Sequence, residues 1–461
     1  MKKQIAATAL ALGLMNTISI AQGDSGKVRL ITLDPGHFHA ALVQKFMYPQ
    51  VDPVVNVYSP GGPDLDQHLA RIESYNNRAD NPTKWEEKAL VAPDFLRVML
   101  KEKRGNVVVL SGNNKYKTDF IYESIDAGLN VLADKPMAIN SDDFGLLRKA
   151  FALAEKRGVL LYDIMTERYE ITSILQRELA QFPEVFGMLD PGTAEDPSVV
   201  IESTHHFFKE VSGKPLIRPA WFFDVRQQGE ALPDVGTHLV DLVQWICFPD
   251  VTLDWKKDVN VYAARHWPTR LTPEQFQKAT GLTEFPAFLK KDVDADGLLN
   301  VFQNGEVRYT LHGIHVKVRP LWNFEAPEGT KDSHYARLRG TKASLEVRQG
   351  PAQNYQPTLY VEARYGTKQE DLESALKAAV QQLQAKYPGI EAKSLGQLSQ
   401  IVIPEKYAVG HEAHFGAVTE AFLKYLAEDK LPSWEVPNML AKYYTAIEAY
   451  KLSRQSPPGE F

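Results

Sequence analysis

Three residues in one short stretch have the types and spacing for acid–base chemistry: Asp234, His238 and Asp241, in Asp234-Val-Gly-Thr-His-Leu-Val-Asp241. Leu239, Leu242, Val243 and Ile246 recur at i, i+3, i+4 and i+7, which predicts a helix with one apolar stripe, and Pro233 fits its start. Residues three and four apart share a helix face, so both carboxylates can meet the imidazole. A histidine oriented by a carboxylate, with its proton affinity raised, can act as a general base. Spacing leaves a plainer arrangement open, in which Asp234 caps the helix and His238 is a satisfied structural histidine.

Other elements must bring that helix to a second chemical group. Residues 28–33, 54–58, 106–110, 130–133 and 159–162 are β-rich apolar runs. Between them, residues 40–47, 65–75, 92–103, 120–127 and 141–157 read as helices. This alternation predicts a parallel sheet covered on both faces, with ligands beyond the carboxyl ends of the strands. The first turn, Asp34-Pro-Gly-His-Phe-His39, stands where a dinucleotide fold carries G-x-G-x-x-G/A. Only Gly36 matches. Asp34 would repel a diphosphate, and His39 is bulky where the helix should pack closely on the strand. The second strand ends in Tyr58-Ser59, without an acid for an NAD ribose. The His37/His39 pair can instead face a metal or a substrate phosphate, or ligate nothing.

Two separated motifs then agree. Asn130-Val-Leu-Ala-Asp-Lys-Pro136 resembles the Glu-Lys-Pro strand end of the glucose–fructose oxidoreductase/inositol dehydrogenase/MocA (Gfo/Idh/MocA) family, with Asp134 in place of Glu. Arg218-Pro-Ala-Trp-Phe-Phe-Asp224, Gly229 and the Asp234–Asp241 stretch resemble that family's second-domain signature, and Ala127-Gly128 also fits. The resemblance covers residues 27–350. The segment from Trp322 to Tyr335 resembles a subgroup from Bacteroidetes-type bacteria with its own C-terminal domain.

The resemblance implies an α/β chain: an N-terminal Rossmann domain with a parallel sheet (residues 27–165) and an α+β domain with an open, mostly antiparallel sheet (166–350), which an extension (351–461) completes. It implies NAD or NADP, with NAD favoured, held by Gly36, His37, Phe38, Ser59, Ser111, Asn113, Asn114, Asp134 and Lys135. It makes Lys135 the catalytic lysine, Asp234 the orienting carboxylate and His238 the acid/base. The chemistry agrees: hydride leaves a carbinol carbon only as its hydroxyl proton leaves, which a neutral histidine assists. An ammonium group on the same oxygen lowers its pKa. The chain departs from the family at Gly112-Asn113-Asn114, where Thr-Pro-Asn is usual, and at Lys117, where histidine is common.

In the second half, residues 198–207, 259–264, 298–302, 307–311, 315–318 and 339–347 are strand candidates, joined by short turns such as Gln303-Asn-Gly-Glu306. Helices are expected over 169–179, 372–386, 415–427 and 437–454, and a strand over 401–403. Adjacent His205 and His206 point to opposite faces of a strand, so at most one lines a pocket. Arg218, Trp221, Trp267 and Trp322 suit a sugar site, because aromatic faces stack on sugar C–H faces. His205, Arg218 and Trp221 are the substrate candidates. His411-Glu-Ala-His414 lacks the H-E-x-x-H spacing and reads as structural, so no metal site is expected.

The chain has 461 residues, enough for two domains, with 44% hydrophobic and 24% charged residues. A net charge of −6 and the lack of any basic tract argue against nucleic-acid binding. The single cysteine, Cys247, excludes an internal disulfide and a Cys-rich zinc site. Lys2 and Lys3, an apolar core over 5–15 and Ser19-Ile-Ala21 read as a cleaved secretory signal over residues 1–21. The expectation is a periplasmic oxidoreductase acting on a small carbohydrate or glycoside, homo-oligomeric and free of the membrane after cleavage. Two alternatives stand beside it: an NAD-assisted glycoside lyase or hydrolase, and a carbohydrate-binding protein that has lost the cofactor.

Overall fold

The computed structural model describes residues 27–211 and 214–461. The expected export signal lies outside them. The first domain runs β1 (Leu30–Leu33), α1 (His39–Leu42), β2 (Val54–Ser59), α2 (Pro63–Asn76), β3 (Glu86–Val91), α3 (Phe95–Glu102), β4 (Val107–Leu110), α4 (Lys117–Asp126), β5 (Asn130–Asp134), α5 (Ser141–Arg157) and β6 (Leu161–Ile164). Its strands lie in the order β3-β2-β1-β4-β5-β6, and every pairing is parallel. This is the doubly wound Rossmann order, in which the strand exits form a ligand crevice where the order reverses, between β1 and β4. Apolar runs such as Val107–Leu110 are buried on both faces, as a covered parallel sheet requires. β3 escapes sequence reading because Glu86-Glu-Lys-Ala-Leu-Val91 is a polar edge strand, largely exposed.

The second domain follows with α6 (Ile171–Leu179), β7 (Val199–Phe208), β8 (Glu210–Val211), β9 (Lys214–Pro215), α7 (Val225–Gln228), α8 (Val235–Cys247), β10 (Val259–Leu271), α9 (Pro273–Thr280), β11 (Leu299–Leu311), β12 (Ile314–Glu325), β13 (Ser333–Arg339), β14 (Ala343–Gln349), β15 (Thr358–Ala363), α10 (Gln369–Leu383), β16 (Glu391–Ser394) and β17 (Leu398–Val402). Nine of these strands form one sheet, β10-β11-β12-β7-β13-β14-β15-β17-β16. Only the β12–β7 pair in it is parallel. The turn expected at Gln303–Glu306 is absent, because β10 and β11 are each single 13-residue strands. Gly305 serves close packing instead: a Cβ there would meet Leu232 Cγ at 2.8 Å. The strand expected over 339–347 is in fact a hairpin, β13–β14, turning at residues 340–342.

Helix α8 presses its stripe of Leu239, Leu242, Val243 and Ile246 into the core of the second domain. Each such side chain contributes about 1.5–3 kcal/mol by burial. The chain then closes back on itself. α11 (His411–Glu428) packs Phe415, Val418 and Phe422 into the first domain, and α12 (Glu435–Ser453) faces both cores, Tyr443 toward the first and Ala449 toward the second. The tail therefore does more than extend the second sheet: it straps the two domains together.

Candidate active site

The site forms where the exits of β1, β4, β5 and β6 meet the start of α8. Lys135 follows β5 directly, and its bond to Pro136 is cis. Its Nζ lies 2.6 Å from Oδ1 of Asp234, which is 1% exposed. The other Asp234 oxygen accepts from Gln228 Nε2 at 2.9 Å. Asp234 holds the N-cap position, but its side chain caps nothing. Its carboxylate is aimed out of the helix at Lys135. The expected Asp234–His238–Asp241 contact is not formed. Asp234 is engaged by Lys135 and Gln228, and Asp241 by Arg168 and Lys442, while His238 Nδ1 is buried without a partner among the described residues. Burial, and after it the Lys135 charge, hold the His238 ring well below the usual imidazole range. It is therefore neutral at pH 7.

The first turn is built differently from a glycine-rich cradle. The amides of Gly36 and His37 both donate to Ser111 O, each at 3.2 Å, and Asp34 sits at a positive φ of 49°. Trp221 Nε1 donates to Asp64 Oδ2 at 2.9 Å, and both groups lie over Gly36. A Cβ on Gly36 would come within 3.0 Å of that oxygen and 3.3 Å of the indole. Burial, and then Asp64, push the Asp34 carboxyl up to about 6. Phe38 carries the Arg71 guanidinium over its ring, 5.8 Å from the centroid. His37, His39 and Ser111 turn toward Asp134: Oδ2 of Asp134 lies 3.7 Å from His37 Nδ1, 2.9 Å from His39 Nδ1 and 3.0 Å from Ser111 Oγ. Burial alone would raise the Asp134 carboxyl, but His39, Lys117 and His37 outweigh it and hold it well below the usual carboxylate range.

The remaining expected cofactor residues are partly spoken for. Asn113 Nδ2 donates to Gln227 Oε1 at 2.7 Å and Asn114 Nδ2 to Gln228 O at 2.8 Å, tying the β4 exit to α7. Ser59 ends β2 on the far side of β1, and its Oγ accepts from the Gly61 amide at 3.0 Å. Lys117 is buried with its Nζ 3.1 Å from Asp134 O, and burial brings its pKa down to about 8.

Of the substrate candidates, Arg218 spends its donors on backbone, reaching Phe207 O at 2.6 Å and His206 O at 3.1 Å, with its guanidinium over Phe222. Trp221 is bound to Asp64, as above. His205 stacks on Trp322 with centroids 5.2 Å apart, and burial lowers its pKa to about 4. His206 Nδ1 lies 2.7 Å from one oxygen of Asp332, and His205 Nδ1 lies 3.8 Å from the other. Three residues at this site carry roles that sequence reasoning missed. Asp64 is in the first turn of α2. Glu167 follows the β6 exit, with its carboxyl raised to about 7 by burial and then by Glu170. His411, read as structural, reaches His39 with the two Nε2 atoms 3.3 Å apart. A residue just past a parallel strand is a site candidate by position, which would have found Glu167. His411 carries no such signal.

Residues 175–454 match the family described as "Putative oxidoreductase C terminal domain". The chain belongs to this family. A crystal structure described as a "putative oxidoreductase" from Parabacteroides merdae is 52% identical and superposes with a TM-score of 0.92, over 93% of this chain and 98% of that one. More distant solved structures share the fold. GenD2 from gentamicin A biosynthesis, solved with NAD, is 16% identical with a TM-score of 0.55, over 93% of this chain and 95% of that one. KijD10, a 3-ketoreductase from Actinomadura kijaniata solved with NADP and TDP-benzene, is 14% identical with a TM-score of 0.54, over 92% and 96%. No curated protein matches.

Proposed function

We propose that the protein transfers hydride at a carbinol carbon of a small carbohydrate or glycoside, with a nicotinamide dinucleotide as redox partner. The observation that carries this reading is the Lys135–Asp234 ion pair beside a neutral His238 at parallel-strand exits. Fold relatives solved with NAD and NADP support the cofactor. The residues around the crevice fit its nicotinamide end: Ser111, Asn113, Asn114 and Lys135 would flank it, while the Gly36–Phe38 loop and Ser59 would hold the diphosphate and ribose. For a diphosphate to seat over Gly36, Trp221 and Asp64 must first move aside. Bound there, the cofactor supplies a hydride acceptor or donor.

The chain's own residues manage the proton. Asp234 fixes one N–H of the Lys135 ammonium, leaving two donors to hold the substrate oxygen and stabilise the charge that develops on it. The neutral His238 ring takes the hydroxyl proton as hydride departs and returns it in the reverse direction. Glu167, its carboxyl raised to about 7 by burial and then by Glu170, is a second titratable group at these strand exits. Residues 1–21 support export, so we place the mature protein in the periplasm. The test is to denature the purified mature protein and look for released NAD(H) or NADP(H) by absorbance and mass. Stoichiometric dinucleotide, or its uptake when added, is expected; neither release nor uptake would overturn the reading.

A further inference from the structure

We propose that His37, His39 and Asp134 bind one first-row divalent cation, with zinc the first candidate. One ligating atom from each of the three residues lies within 4.8 Å of the others. Around Asp134 Oδ2 the separations are 2.9 Å to His39 Nδ1 and 3.7 Å to His37 Nδ1. Tetrahedral donors at metal distances of about 2.0–2.1 Å stand ~3.3–3.4 Å apart. These two separations straddle that value, and an ion would displace the His39 amide from which His37 Nδ1 now accepts at 3.4 Å.

The surroundings are those of a supported ligand set. His39 has a partner on each ring nitrogen: Asp134 at Nδ1, and His411 at Nε2, 3.3 Å away. When the Nε2–H is donated to His411, the Nδ1 lone pair is directed at the proposed ion, as a ligating histidine's opposite nitrogen commonly arranges. Ser111 Oγ donates to Asp134 Oδ2, and Lys117 Nζ holds the Asp134 carbonyl oxygen at 3.1 Å. His39 and Asp134 are buried and His37 is half-buried, which leaves a way in. Lys135, next along the chain, is paired by Asp234, though its charge still acts on both imidazoles.

Two imidazoles and a carboxylate select zinc, iron(II) or manganese over magnesium and calcium, which take oxygen ligands. Three protein ligands leave a coordination position open, at the strand exits that also present Lys135. The His-x-His spacing alone did not carry this site. Asp134, 95 residues from His39, and His411, 372 residues from it, complete it only in the fold.

The cation site and the proposed dinucleotide site share His37 and Ser111, and the dinucleotide-release assay tests the hydride-transfer reading separately. The experiment here is equilibrium dialysis of the chelator-stripped mature protein against zinc, manganese(II) and iron(II), with metal counted by mass spectrometry. One ion per chain is expected, with a cobalt(II) derivative showing the visible bands of a nitrogen- and oxygen-ligated site. His37→Ala, at the half-buried position, should abolish stoichiometric binding. His411→Ala should weaken binding roughly 10–100-fold. Glu412→Gln, on the next residue of α11 but paired with Lys45, should bind as the parent does. Absence of a stoichiometric ion in the parent with all three metals, or parent-like binding by folded His37→Ala, would overturn the proposal. If His37→Ala does not fold, the parent's metal content and cobalt spectrum decide.

Discussion

Helix α8 carries two buried carboxylates seven residues apart, and the molecule uses them in opposite ways. Asp241 lies inside. Arg168 grips both its oxygens at 2.7 Å, and Lys442, with 0% exposure, adds a second charged partner at 2.8 Å. The network continues through Lys442 to Asp163 and through Arg168 to Glu435, so it joins β6, α8 and α12. Asp234 is buried as deeply, but it has one cation, Lys135, and that cation faces the crevice beside a histidine nitrogen with no partner. A carboxylate whose cations are buried and shared with other buried carboxylates is architecture. A carboxylate that holds an ammonium group with donors to spare is equipped for chemistry.

Breaking the crevice end should cost activity and spare the fold. His238→Ala is expected to lower turnover about 10²–10⁴-fold, the usual contribution of a general acid–base group, with bound dinucleotide retained. Steady-state rates beside dinucleotide content check this, and parent-like turnover would remove His238 from its role. Breaking the interior end should do the reverse. Lys442→Ala leaves Asp163 and Asp241 short of a buried counter-charge and should cost about 3–5 kcal/mol in urea unfolding. A loss below about 1 kcal/mol would mean that the network is not sealed from solvent.

Acid should sharpen the contrast further. Burial acts to raise the Asp241 carboxyl, but Arg168 and Lys442 pull it far below its unfolded value of about 3.9. A depressed folded pKa gives stability that is present above the unfolded pKa and is lost as pH falls toward the folded one. Glu435, raised by burial, works in the opposite sense and flattens the curve. The unfolding midpoint should therefore drop as pH falls below about 4. Asp241→Asn, with a lower midpoint at neutral pH, should show a shallower drop; an unchanged pH profile would contradict the assignment. The smallest effect is expected at the loop facing the crevice. Asp64→Asn removes one negative charge from above Gly36 and should tighten dinucleotide binding by about 1 kcal/mol, roughly fivefold, read by titration.

What the sequence could and could not tell follows from the range of each signal. Strands such as Val107–Leu110 announce themselves because both faces are buried, whereas Glu86–Val91 is an edge and reads as loop. Asn304-Gly305 carries a turn signature, yet the glycine is there to admit Leu232, a packing demand from a distant segment. At the site, helical spacing correctly places Asp234 and His238 one turn apart on α8. It says nothing of a competing partner on another element. Lys135, 99 residues upstream, takes the carboxylate that spacing assigned to His238. Lys135 and His238 became legible through motif resemblance, while the local pattern at His411-Glu-Ala-His414 gave no hint of its partner His39.

The strap formed by α12 has a consequence for how the protein is made. Arg168 meets Glu435 across 267 positions of chain, and Tyr162 meets the same carboxylate across 273. At about 5–20 residues per second, the ribosome takes on the order of tens of seconds to supply that partner. Until then Asp163 waits at the edge of the first sheet for Lys442, while Arg168 already has Asp241. The interior network is therefore complete only once α12 has joined the two domains.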